Sequence, residues 1–419
     1  MSVVCGIDFG TSNSTLTLAD ASGVRPVIVD PANRLPQAIP TILFFDDDGL
    51  STYGSQGIQD YVEGGHFGRL LQSIKRHLPS PGFGGTTIAG RFREVEDLVA
   101  GFLEHLKFLA EQDAGCEITQ VVLGRPAVFH TDPARDQLAQ DRLERAASMA
   151  GFVDIAFQIE PMAAARAFES TLERDVTCLV GDLGGGTSDF TLVRLGPSRV
   201  GRDRRGDVIG AHGLSVAGND LDARLVYQEA MPHFGVRASY RVDNRWTKVP
   251  TWLHHTACRW QHLCLADTED NGRFLARLVR LGDDPQGLER LRLLIQDQHA
   301  WTFFKAVEDV KVALSDTGGT TMVYDREGLA FSQAVTREDF DAAISRETVK
   351  LEGAVDGVLA EAGLAAPHVD VVFLTGGTSL VPRVRRIFED RFDGRIVDHD
   401  TFTSVGMGLA IEARERFLG

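Results

Sequence analysis

A chain of 419 residues is longer than one hydrophobic core commonly organises, so two or more domains are expected. Its 43% hydrophobic and 24% charged residues are ordinary for a globular protein, and a net charge of −16 argues against a nucleic-acid surface. No window has the apolar length of a membrane helix, no basic-then-apolar leader opens the chain, and five scattered cysteines form no disulfide framework; a cytoplasmic protein with reduced thiols is predicted.

The first 45 residues read as strands, at 3–7, 14–18, 27–29 and, after Pro40, 41–45. Apolar spacing predicts a helix over 61–77, stopped by Leu78-Pro79, and another over 98–110. A short buried strand at 121–123 runs into Gly124-Arg125-Pro126, an amphipathic helix follows at 136–149, and Glu160-Pro161 opens an alanine-rich helix with proline in its first turn. The segment 199–207 holds Arg202, Arg204 and Arg205, but interleaved acids make it a solvated hairpin tip rather than a basic patch. A mostly helical stretch runs from Gly218 to about Ser315. An apolar strand at 371–375, a helix from about Val384 and a last helix over 405–417 complete an α/β pattern.

Two glycine-rich stretches stand out. Cys5-Gly6-Ile7-Asp8-Phe9-Gly10-Thr11-Ser12-Asn13-Ser14 and Val180-Gly181-Asp182-Leu183-Gly184-Gly185-Gly186-Thr187-Ser188-Asp189 share one plan. Each is an apolar strand ending in Asp, a glycine turn with small hydroxyl residues, then a second β-rich run. Glycines let backbone N–H groups approach an anion, hydroxyls add donors, and the Asp can hold a magnesium hydration shell. A single such turn is common; the pair points to a duplicated fold with a nucleotide between the halves.

The pattern resembles the actin-like ATPase superfamily, and within it the nucleotide-binding domain of the seventy-kilodalton heat-shock chaperones of the DnaK type. The likeness rests on 6–14, Ile74-Lys75-Arg76, Pro126-Ala127-Val128-Phe129, Glu160-Pro161-Met162-Ala163-Ala164-Ala165, 182–189, 308–315 and Leu374-Thr375-Gly376-Gly377-Thr378-Ser379, in order over essentially the whole chain. It implies a two-lobed fold of duplicated mixed-sheet domains with a subdomain in each lobe. Lobe I would span 1–170, with a core of about 1–34 and 107–170 and an insert of about 35–106. Lobe II would span 171–419, with a core of about 171–218 and 316–419 and an insert of about 219–315.

The resemblance also implies an ATPase of low turnover that binds ATP or ADP with Mg²⁺. Asp8 and Asp182 would hold the magnesium through water. Gly10, Thr11, Ser12, Asn13, Gly184, Gly185, Gly186 and Thr187 would cradle the phosphates, Lys75 would offset charge on the γ-phosphoryl group, and Glu160 and Asp189 would position the attacking water or the metal's water shell. Gly218, Glu308, Lys311, Ser315, Gly376, Gly377, Thr378 and Asp400 would hold the nucleoside. Independently, Glu308, Lys311 and Ser315 share one helix face, with Val307, Val310 and Leu314 off it. Without the family pattern, Lys75 reads as a surface lysine on a helix, Glu160 as a helix-start acid and Glu308–Lys311 as a surface pair.

Departures qualify the likeness. The family's two adenine-clamping arginines are replaced by Val312 and Leu380, which predicts weaker nucleotide affinity or altered base preference. Its Gly-Gly-x-Asp has become Ala217-Gly218-Asn219-Asp220, and an extra stretch lies between Phe129 and Ala150. Nothing in the sequence after Gly419 offers a peptide-binding domain, so a stand-alone ATPase domain of the YegD group is expected, a monomeric switch for protein partners or co-chaperones with no nucleic acid or membrane. A small-molecule kinase or an actin-like filament protein are the alternatives. His254, His255, Cys258, His262 and Cys264 crowd one segment without the spacing of a structural zinc site, and Gly406-Met407-Gly408 reads as close helix packing rather than a dinucleotide fingerprint.

Overall fold

The computed structural model describes all residues except 1, 65–66, 170, 200–205, 267, 297–299, 327 and 398–402. Asp400 and the three arginines of 202–205 therefore lie outside the described residues, as does the side chain of Cys264. The chain forms two compact units. One comprises Met1–Ala217, Leu351–Ser379 and Val384–Gly419; the other comprises Gly218–Lys350 and Leu380–Arg383.

The first unit opens with β1 (Val4–Asp8), which returns antiparallel as β2 (Asn13–Asp20), followed by β3 (Gly23–Pro26), β4 (Ala38–Pro40), β5 (Ile42–Phe45) and β6 (Ser51–Tyr53). The helix read over 61–77 is not formed as one element. Helix α1 covers Gly54–Glu63, β7 covers Arg69–Gln72, and only Ile74–His77 is helical again, as one 3₁₀ turn. Gly64 caps α1 and Gly68 stands at φ 94°, which explains the break, and β7 then pairs with the apolar β5. Residues 27–29 form no strand, although Val27 and Val29 are buried around an exposed Ile28.

After the hairpin of β8 (Gly85–Ile88) and β9 (Arg91–Glu94) come α2 (Val95–Ala114), β10 (Gln120–Arg125), α3 (Pro133–Met149), β11 (Asp154–Ile159) and α4 (Glu160–Glu169). The second hairpin follows: β12 (Val176–Leu183) with β13 (Ser188–Leu195), then β14 (Val208–Leu214).

The second unit contains α5 (Gly218–Leu225), a π-helical turn at Val226–Ala230, the exposed hairpin β15 (Ser239–Val242) and β16 (Arg245–Lys248), and the helices α6 (Thr251–Ala257), α7 (Trp260–Ala266), α8 (Glu269–Leu281), α9 (Pro285–Gln296) and α10 (Ala300–Asp316). The hairpin β17 (Gly319–Tyr324) and β18 (Phe331–Thr336) and helix α11 (Arg337–Ala343) follow. Its core is aromatic, with Phe303 against Phe234 and Tyr324. His254 belongs to that core: it is buried, its Nε2 lies 3.0 Å from the Phe234 carbonyl oxygen, and burial pushes its pKa down.

Helix α12 (Ser345–Glu361) leads back to the first unit, and the chain goes on through β19 (Val371–Thr375), a 3₁₀ turn at Gly377–Leu380, α13 (Pro382–Glu389), β20 (Ile396–Val397) and α14 (Ser404–Phe417), all in the first unit except Leu380–Arg383.

The architecture is mixed α/β, with the two mixed sheets built alike. In one the strand order is β11-β10-β1-β2-β3, with β4 also on β2; in the other it is β14-β13-β12-β19-β20. In each, the strand that carries the Asp at or next to its end has an antiparallel hairpin partner on one side and a parallel strand on the other, β10 for β1 and β19 for β12. Such strands are buried on both faces, which explains their unbroken apolar runs. Helices α4 and α14 share one core with both sheets, through Val4, Val122, Ala163, Val180, Phe373 and Leu409. The close packing expected of Gly406-Met407-Gly408 is present: a Cβ on Gly408 would stand 1.8 Å from the Ala163 carbonyl oxygen. Among the described residues no helix is long and apolar enough to cross a membrane.

Candidate functional site

The two hairpin turns and the 3₁₀ turn meet at one cleft in the first unit. Asp8, Gly10, Thr11, Ser12, Asn13, Lys75, Glu160, Asp182, Gly184, Gly185, Gly186, Thr187, Gly376 and Gly377 all line it. The turns are in contact, since a Cβ on Gly186 would sit 2.8 Å from Cγ2 of Thr11. At Gly10 a side chain would strike the Asn13 carbonyl oxygen at 2.0 Å, so the first turn closes only around glycine. Gly376 has φ 81°, and a Cβ there would stand 2.3 Å from the Leu183 carbonyl oxygen. Thr378 is buried; its hydroxyl donates to the Gly184 carbonyl at 2.7 Å, so it ties the loop after β19 to the second glycine turn.

Lys75 is only 8% exposed and Glu160 6%, and Nζ of the one stands 2.7 Å from Oε1 of the other. The reading of Lys75 as a surface lysine on a helix is thereby corrected: glycines end the helix early, and the 3₁₀ turn directs its side chain inward. Burial alone lowers a lysine's pKa, but the charges of Glu160 and Asp8 outweigh it, and Lys75 lies above its ordinary value. Asp182 and Asp189 are directly opposed across the β12–β13 hairpin. Burial, then repulsion from Glu160, pushes both carboxyls up to about 7. Asp8 is also raised well above the carboxylate range, by burial first and then by Glu160.

Four carboxylates thus act on one ammonium in a half-buried cleft. That imbalance fits a hydrated divalent cation, which would relieve both burial cost and mutual repulsion. Among the described residues no three His, Cys, Asp or Glu side chains converge as direct metal ligands.

Sequence reasoning missed several supporting positions. Gly124 leaves room for Glu160, whose Cγ would lie 3.0 Å from a Cβ there, and Gly213 does the same for Oδ1 of Asp189 at 2.9 Å. Thr15, Ala38, Thr375 and Val405 also line the cleft. A glycine inside a strand pattern was the available signal for the first two.

The remaining nucleoside candidates belong to the second unit. Gly218 starts α5, and Glu308, Lys311 and Ser315 follow one another along α10, with Val307, Val310 and Leu314 buried on its other side. Nζ of Lys311 stands 2.8 Å from Oδ2 of Asp222, while Glu308 pairs with Lys305 at 3.1 Å.

A profile described as Hsp70 protein matches residues 85–226 and 293–414. The Chaperone protein DnaK of Thermus thermophilus is 26% identical over 443 aligned positions, which cover 99% of this chain and 61% of that protein, and the figures are the same for two strains of that organism. The chain therefore spans about three fifths of the length of these relatives.

Proposed function

The chain belongs to the Hsp70 family, and from that premise we propose that its cleft binds ATP with Mg²⁺ and hydrolyses it slowly, the ATP and ADP states serving as a conformational switch for a protein partner. The observation that carries this reading is the buried Lys75–Glu160 pair beneath two touching glycine turns.

The amides of 10–13 and 184–187 would hold the β- and γ-phosphates, with the hydroxyls of Thr11, Ser12 and Thr187 as further donors. Asp8 and Asp182 would hold Mg²⁺ through its waters; when bound, the ion neutralises phosphate charge. Lys75 spends one of its three N–H donors on Glu160 and has others for a γ-phosphoryl oxygen, where charge builds as the leaving oxygen departs. Glu160 and Asp189, as hydrogen-bond acceptors, would orient the attacking water in line with that bond. Glu308, Lys311 and Ser315 would contact the nucleoside. The cleft would lie between lobes 1–170 and 171–419, whose rotation about α4 and α14 would couple hydrolysis to shape.

The test is calorimetric titration with ATP and ADP, with and without Mg²⁺, and phosphate release measured on the same samples. Wild type should bind both nucleotides in a Mg²⁺-dependent way and release phosphate; Lys75→Ala should bind and not release it. Absence of binding would overturn the reading. ADP formed without free phosphate when metabolites are supplied would instead identify a small-molecule kinase.

A further inference from the structure

The 3₁₀ turn that carries Lys75 is a poor scaffold on its own. It is a single turn, Ile74–His77, entered through Ser73 in the left-handed region at φ 59° and ψ 32°. A non-glycine residue there is strained, and an isolated 3₁₀ turn has little stability of its own. Ser73 is also buried, with no hydrogen-bond partner for its hydroxyl. Something outside the turn must hold it.

Ile74 and Leu78 bury into the core, and a polar anchor comes from α3. Nη1 of Arg142 lies 3.2 Å from the carbonyl oxygen of His77, 3.1 Å from that of Leu78 and 3.1 Å from that of Ser80. Three carbonyls of irregular backbone thus converge on one guanidinium. Arg142 is itself held from α2, with Nε 3.6 Å from Oε1 of Glu96, and both side chains are only 11% exposed. Hydrogen bonds from a charged donor are stronger than neutral ones, and the planar guanidinium fixes their directions.

We propose that Arg142, oriented by Glu96, is a positioning residue for Lys75: it sets the height of the 73–80 turn, so that the ammonium stands beside Glu160 and Asp8. This rests on the reading of Lys75 as the group that meets the γ-phosphoryl charge. The glycine turns that would cradle the nucleotide are built on the hairpins of β1–β2 and β12–β13, whereas Arg142 holds the carbonyls of 77–80; the lysine turn approaches them at Gly186, where a Cβ would stand 3.5 Å from Cδ of Arg76. Loosening the lysine turn should therefore slow the chemical step and spare nucleotide affinity, because displacement by about 1 Å costs on the order of 100-fold in a positioned reaction.

The experiment compares wild type with Arg142→Gln, Glu96→Gln, Leu143→Ala and Lys75→Ala, measuring single-turnover hydrolysis and the Kd for Mg·ATP. Leu143→Ala perturbs the buried face of α3 while keeping the Arg142 guanidinium, and serves as the packing control. Trypsin cleavage after Lys75 and Arg76 is followed in parallel on the nucleotide-free protein, as a readout independent of activity. The expected result is a fall of roughly 10- to 100-fold in rate for Arg142→Gln, a smaller fall for Glu96→Gln, Kd within about 3-fold of wild type in both, and faster cleavage at 75–76. Leu143→Ala should lower the melting temperature and keep the rate. Wild-type rate and cleavage in Arg142→Gln, while Lys75→Ala is inactive, would overturn the positioning role alone; if Arg142→Gln does not fold, wild-type behaviour of Glu96→Gln would overturn it equally. Wild-type hydrolysis by Lys75→Ala would instead remove the catalytic reading of the lysine, and this inference with it.

Discussion

Lys75 and Glu160, 85 positions apart in the chain, form a buried ion pair with Nζ 2.7 Å from Oε1. Each arrives by a different route: the lysine on a 3₁₀ turn, the glutamate as the first residue of α4 where β11 ends. A buried pair offers little net stability, but losing one partner leaves a charge with no compensation. Lys75→Ala should cost about 3–5 kcal/mol in urea unfolding of the nucleotide-free protein, and Lys75→Met combined with Glu160→Gln should recover most of it. Equal destabilisation by the single and double variants would show that the two groups do not compensate one another.

The raised carboxyls give a pH dependence of defined sign. Asp182 and Asp189 move from an ordinary 3.8 to about 7, so between those values the folded chain holds protons that the unfolded chain has released. Their stabilising contribution is complete below about pH 4 and is lost as the pH rises through about 7. With EDTA present, the melting temperature should therefore fall between about pH 5.5 and 8. Mg·ADP should raise it more at about pH 8, where the carboxylates are charged. Asp182→Asn with Asp189→Asn should flatten both trends, and a Mg·ADP effect independent of pH would contradict the assignment.

How much of this was legible beforehand depends on the range of the interactions. The Asp-ending strands and their glycine turns could be read directly, because burial on both faces and tight reversal leave local marks at 4–20 and 176–195. The burial of Lys75 left no such mark. Its segment has helical apolar spacing, and only pairing of β7 with β5, remote in sequence, decides that residues 69–72 are extended. Arg142 was hidden for the same reason, since an arginine on a charged helix reads as solvated until the carbonyls of 77–80 are placed around it. Gly124 and Gly213 looked like ordinary strand glycines, and their meaning comes from side chains that approach across the sheet.

Close approach at the glycines separates two kinds of substitution. Gly408→Ala would drive a Cβ to 1.8 Å from the backbone oxygen of Ala163, and backbone cannot step aside as a flexible side chain can. That change should separate α14 from α4 and destabilise by about 3 kcal/mol or more, on the order of the worst overpacking changes. Gly394→Ala meets nothing within 4 Å and strains only its own φ of 66°, so a loss of about 1 kcal/mol is expected. Thermal melts of both variants check the contrast; similar losses would mean that the α4–α14 contact can open.

Val312 and Leu380 bear on the proposed adenine seat. Both lie in the second unit; Val312 is half-buried on α10, and Leu380 is 47% exposed beside the Gly376-Gly377 turn in sequence. An aliphatic side chain at either position can cover a base but supplies no guanidinium to stack on it. Because Leu380 is exposed, an arginine fits there without displacing packed atoms. Leu380→Arg should tighten ATP and ADP binding by roughly 2- to 5-fold, the equivalent of about 0.5–1 kcal/mol for an exposed cation–π contact. Inorganic triphosphate should bind as before, because it lacks the base. Titrations with ATP and with triphosphate distinguish the outcomes. Equal tightening of both would mean that the added charge acts on the phosphates, and no change in either would mean that adenine is not seated against residue 380.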